Sequence, residues 1–158
     1  MSQQDIQIIA QSVLGADLNE IECQALSAIA SHRKLAKDEI LFSEGESDDQ
    51  LYVVVSGKID VIKNLGSKDE TVMAALKVGS LAGELSFIDG EPHSMTLKSR
   101  NDSEVIILHR ADFEKLIDTQ PMAVYHVMRA ILRASHKLQR ELNTRFMEMN
   151  RFVTNQYM

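Results

Sequence analysis

Residues 83–97 read GELSFIDGEPHSMTL, and the reading of this stretch decides the rest. A glycine ahead of a short helical segment allows close backbone approach, and the first N–H groups of ELSFI are free donors that suit an anion. Glu84, beside them, would repel a phosphate but accepts hydrogen bonds from a sugar hydroxyl. A Gly-Glu-Pro turn comes next, then the His93–Ser94 pair, where Ser94 can donate its hydroxyl to the anion. Residues 95–99 read as a strand able to wall in a base. An anion and a hydroxylated ring would thus sit at opposite ends of one cassette.

Outward from this stretch the texture is β. From Asp38 onward the runs EILF, LYVVV, KIDVIK, TVMAALKV, SMTLKS and EVIILH alternate with SEGESDDQ, SG, NLGSKDE and NDS. Short strands at intervals of roughly 8–12 residues, with turn signals between them, predict a sandwich or small barrel. No helix-length segment separates successive strands, which excludes βαβ units. The acidic loop Glu44, Glu46, Asp48, Asp49 lacks the ligand spacing and terminal Glu of a calcium loop and reads as an exposed turn.

Helices flank the β block. Residues 3–14 and 18–31 have helical periodicity; in the second, Leu18, Ile21, Ala25, Leu26 and Ile29 recur behind an Asp17 or Asn19 cap. Cys23 reads as a small buried residue of this helix. HRADFEKLIDT predicts a short helix begun at Asp112, and Pro121 opens a long one. There Val124, Met128, Ile131, Ser135, Leu138, Leu142, Arg145, Met149 and Phe152 succeed one another by steps of four and three, a heptad seam. Some thirty helical residues, about 45 Å, would overshoot a domain this small, so self-association is expected.

Composition sets the bounds. The chain has 158 residues, a formal net charge of −6 and one cysteine. That length suits one domain, 1–158, with helices over 1–34, the β block over 35–110 and helices over 111–158. A lone cysteine excludes an internal disulfide. The start lacks the pattern of a signal peptide, and no run approaches the ~20 apolar residues of a spanning helix, so a cytoplasmic protein without membrane contact is expected. Residues 1–120 carry 11 basic and 21 acidic side chains and residues 121–158 carry 6 and 2. An acidic body does not suit a phosphate backbone. Arg129, Arg133, Lys137 and Arg140 form one flank of the last helix, either solvated or facing an anionic partner.

The ordered set of motifs resembles the cyclic-nucleotide-binding domain of the catabolite activator protein, of cyclic-nucleotide-dependent kinase regulatory subunits and of gated channels. ILFSEGESDDQLYVVVSGKIDVIK is similar to that family's opening strands, KVGSLAGELSFIDGEPHSMTL (with the cassette at 79–97) to its phosphate-binding cassette, and HRADFEKLIDTQP to the helix before its long dimer helix. The resemblance implies a mainly β fold: a double-stranded β-helix, or jelly roll, with N-terminal helices and a long C-terminal dimerisation helix. It implies cAMP or cGMP as ligand, with no cofactor required.

Carried over by position, Gly83 matches the cassette glycine, Glu84 the ribose acid, Leu85 and Ser86 the amides near the phosphate, and Ser94 the cassette hydroxyl. Val61 and Met73 fall where the family lines the base pocket, and read equally as barrel core. Two positions depart. His93 stands where the family has an arginine; a guanidinium is always charged and forked, an imidazole reaches less far and is only partly charged at neutral pH. Met95 replaces a small alanine.

Two readings of the chain are open. One is a non-enzymatic, homodimeric sensor that signals through an unidentified protein partner. The other is a ligand-free dimerisation or interaction module on the same scaffold. No nucleophile–base–acid set is visible. The histidines show no metal-ligand spacing, so no metal is expected. The related regulators continue into a winged helix-turn-helix not seen in these 158 residues, so direct DNA binding is not expected.

Overall fold

A computed structural model describes residues 2–156. Ser2 caps helix α1 (Gln3–Gln11) in a reciprocal capping box with Asp5. A 3₁₀ turn (Val13–Asp17) comes next, then α2 (Glu20–Ile29). Of the two expected caps, Asn19 is used: its side chain accepts from the Glu22 N–H at 2.8 Å. The β block starts earlier than its texture suggests, because Ala30–Leu35, which overlaps the end of the helix expected over 18–31, is strand β1.

Seven more strands complete the block: β2 (Ile40–Phe42), β3 (Gln50–Ser56), β4 (Ile59–Lys63), β5 (Thr71–Leu76), β6 (Leu81–Ala82), β7 (Thr96–Ser99) and β8 (Ser103–His109), with α3 (Glu84–Asp89) between β6 and β7. They form two antiparallel sheets, β1-β8-β3-β6 and β2-β7-β4-β5. Successive strands fall alternately in the two sheets over most of the chain, which is the double-stranded jelly roll. Helix α4 (Arg110–Thr119) and the 36-residue α5 (Pro121–Gln156) complete the described residues. No described helix is long and apolar enough to cross a membrane.

The first sheet is buried on both faces, which is why YVVV and VIIL run apolar without alternation. Leu51, Val53, Ile106 and Leu108 face Ile9, Leu26, Phe87, Phe113 and Val127 from the helices. Tyr52, Val54, Val105 and Ile107 face Leu41, Phe42, Ile59 and Leu97 across the sandwich. Edge strand β5 is largely exposed, Met73 included at 55%.

Helix α5 divides into two halves. Ala123, Val127, Ala130 and Ile131 are buried against the body, and Val124 and Met128 pack beside them. Two side-chain ties reinforce this half: His126 Nδ1 lies 2.8 Å from the nearly buried Glu22 carboxylate, and Arg133 lies 2.9 Å from Asp17. The start of the expected heptad seam therefore packs within the chain. Beyond it Leu142, Phe146, Met149, Phe152 and Val153 are exposed. Phe146 and Val153 belong to this stripe although the expected seam passes through Arg145; the Leu138 side chain lies outside the described residues.

Candidate functional site

The site is built where α3 meets the β2–β3 loop. Gly83 precedes α3 with φ of +81°, the left-handed region that favours glycine. A Cβ there would stand 2.9 Å from the Gln50 carbonyl oxygen and 3.1 Å from the Tyr52 ring. Gly83→Ala is therefore strained by both conformation and contact. We expect it to destabilise the fold by about 1–3 kcal/mol, read as a lowered midpoint in urea denaturation; an unchanged midpoint would show that the turn relaxes freely.

On the α3 side, Glu84 is half-buried, Ser86 is buried and Leu85 is 62% exposed. Ser86 is already engaged: its Oγ accepts from the Asp48 N–H at 2.8 Å and donates to the Asp48 carbonyl. Leu85 turns toward α5, where it lines a groove with Ile88, Tyr125, Met128 and Leu132. The cassette helix and the terminal helix thus form two walls of one groove.

On the turn side, the backbone of His93 is paired with the acidic loop. Its N–H donates to the Glu46 carbonyl at 2.7 Å, and its carbonyl accepts from the Gly45 N–H at 2.8 Å. The ring is sunk beneath the surface, its side chain 4% exposed, and stacks on Phe42 with centroids 3.6 Å apart and planes 12° from parallel. Nε2 lies 3.2 Å from Asp48 Oδ2. The approach is off the hydrogen-bond direction, so the nitrogen is buried without a hydrogen-bond partner among the described residues. Such a group is costly unless something completes it.

Asp48 itself is held in place. The Tyr52 hydroxyl donates to Oδ2 at 2.6 Å, and the Gln50 side-chain amide lies 2.8 Å from the same hydroxyl. Burial, then the hydrogen bond to Asp48 and its charge, push the Tyr52 phenol well above its usual value, so it stays a donor. Two of the other three loop acids are in ion pairs: Glu44 pairs with Lys63, and Asp49 lies 3.0 Å from Arg110. The Lys63 hydrogen bond, then the Asn64 N–H, hold the Glu44 carboxyl below its ordinary range. The loop is an exposed turn at Gly45, Glu46, Ser47 and Asp49, as expected, but several of its acids have partners and Asp48 is built into the site.

The remaining expected residues lie around this cluster. Ser94 is exposed, and its carbonyl accepts from Lys63 Nζ at 3.0 Å. Met95 is half-buried just before β7. Val61 pairs across the sheet with Leu97 and packs on the inter-sheet core. Met73, on β5, is exposed and lies outside both core clusters, so its reading as barrel core does not hold. Phe42, Asp48, Tyr52 and Lys63 are site residues that the sequence does not single out for this role; the acids of the loop are conspicuous, but no spacing rule links them to His93. Among the described residues no three His, Cys, Asp or Glu side chains gather as a metal site.

The architecture is thus a jelly roll with a glycine-led helix packed on β3 and a long terminal helix. Residues 32–120 match the family model described as the cyclic nucleotide-binding domain. The chain belongs to that family. It is 30% identical over 104 residues to the cyclic AMP receptor protein of Thermus thermophilus, covering 65% of this chain and 48% of that protein. The crystal structure of the Thermus thermophilus catabolite activator protein superposes with a TM-score of 0.70 at 28% identity, over 84% of this chain and 62% of the other. A cyclic nucleotide-binding domain from Methylobacillus flagellatus has the same fold, with a TM-score of 0.79 at 24% identity over 92% and 82%. The chain spans about half the length of its Thermus relative.

Proposed function

We propose that this chain is a non-enzymatic, cytoplasmic regulatory domain that works as a homodimer, with occupancy of the cassette read out through α5. The observation that carries this is the groove shared by α3 and α5, in which Leu85, Ile88 and Asp89 of the cassette helix face Tyr125, Met128, Arg129 and Leu132. A ligand that moved α3 would alter these contacts, and differential contact with two helix positions is what allosteric coupling consists of. Cyclic AMP or cyclic GMP would place its phosphate near Ser86, His93 and Ser94 and its ribose near Glu84, with Val61, Met73 and Met95 on the base side.

Affinity is expected to be modest. Losing one charge-assisted hydrogen bond from the arginine position costs on the order of 1.5–3 kcal/mol. Calorimetric titration with cyclic AMP and cyclic GMP, paired with hydrogen exchange along α5, tests the reading. Binding with altered protection in residues 121–135 is the expected result; silence at millimolar ligand would replace the sensor by a ligand-free dimerisation module. That second reading is supported by one observation, the ring of His93 buried between Phe42 and Asp48 and turned to the protein's own carboxylate.

A further inference from the structure

We propose that Asp48 is a tethered carboxylate occupying the anion position of the cassette, so that the native site prefers an uncharged nucleoside to the matching cyclic nucleotide. The proposal rests on the reading of residues 83–97 as a ligand cassette. The nitrogen standing at the cassette's arginine position, His93 Nε2, has Asp48 Oδ2 at 3.2 Å, and no group among the described residues satisfies it by hydrogen bonding. The carboxylate is not a passing surface charge: Tyr52 donates to it at 2.6 Å, and the Asp48 backbone is clamped to Ser86 at 2.8 Å. Its side chain is nevertheless 24% exposed, so an incoming ligand meets it.

Charge decides what that ligand can be. Two cations that flank the acidic loop, Lys63 of β4 and Arg110 of α4, are already matched by Glu44 and Asp49. Asp48 and the half-buried Glu84 bring negative charge to both ends of the cassette. A cyclic phosphate set beside Asp48 is a like-charge juxtaposition in a partly desolvated place, which specificity devices use to reject the wrong partner. A neutral ribose instead offers hydroxyls that both carboxylates accept. Phe42 and Tyr52, which pack against each other with centroids 5.5 Å apart, hold His93 and Asp48 in this arrangement.

The test compares the native chain, Asp48→Asn, His93→Arg and the double variant by calorimetric titration with adenosine and with cyclic AMP. Asparagine keeps the shape and still accepts the Tyr52 hydrogen bond, and circular dichroism checks that each variant folds. The native chain is expected to bind adenosine more tightly than cyclic AMP, and Asp48→Asn is expected to tighten cyclic AMP by roughly tenfold or more with adenosine changed less than about threefold. The proposal is overturned if the native chain binds cyclic AMP at least as well as adenosine, if it binds neither at millimolar concentration, or if Asp48→Asn leaves the ratio unchanged. A folded double variant that ignores cyclic AMP would instead bring down the cassette reading itself, whereas a double variant that binds no better than His93→Arg removes only the role of Asp48.

Discussion

Replacing Phe146 and Phe152 together with glutamate is expected to halve the mass seen by light scattering at tens of micromolar, from a dimer to a monomer. Both side chains are about three-fifths exposed, at 59% and 65%, on the half of α5 whose described side chains all face solvent. Leu142, Met149 and Val153 continue the same stripe. Side by side, two such stripes bury each phenylalanine against its counterpart, for about 1.5–3 kcal/mol apiece. Four phenylalanines per dimer then account for more than half of the about 8 kcal/mol that corresponds to micromolar affinity. Glutamates at these positions face one another and add repulsion. An unsubstituted chain that is already monomeric under these conditions would remove the dimer from the proposed mechanism, while a double variant that stays dimeric would move the interface elsewhere.

The second large effect is expected at Phe87. It is 1% exposed and lies against Phe113 of α4, with ring centroids 5.2 Å apart at 56°, a tilted aromatic pair. It also belongs to the core cluster that contains Val127 and Ile131 of α5, so the cassette helix and both terminal helices share one core. Phe87→Ala should cost about 3–5 kcal/mol by lost transfer energy and the cavity left behind. Urea denaturation reads this directly, and Phe87→Leu, which fills most of the volume, is expected to recover at least half of it. A loss below about 1 kcal/mol would mean that α3 collapses onto the gap, and that the link from cassette to α5 is looser than described.

Much of the scaffold could be read from local pattern, because its strands are apolar runs bounded by turns. LYVVV and EVIILH announce themselves since their sheet is covered on both faces. β1 does not: Ser31, His32, Arg33 and Lys34 make it polar, as suits an edge strand paired only with β8, and His32 is held there by Asp5 and Glu104 at 2.8 and 2.9 Å. β6, at two residues, is too short for any periodicity. In the site, Gly83 is legible because a turn needs its conformation, and Glu84 because it opens a helix. The Asp48–His93–Tyr52 cluster is not, since its members lie 4 to 45 positions apart and only the closing of β2, β3 and the cassette turn brings them together. Charge pattern alone presents Asp48 as one acid among four. Its role is a property of the folded loop.

The division of α5 has a mechanical consequence. Its first half is bedded in the core and pinned by Glu22 and Asp17, while residues 135–156 form a rod about 33 Å long at 1.5 Å per residue whose described side chains are all exposed. Such a rod has gain: a tilt of only about 5° at its root, which needs sub-ångström repacking beside α3, sweeps its tip through about 3 Å. Whatever is clasped to the far end therefore feels several times the displacement that the cassette undergoes.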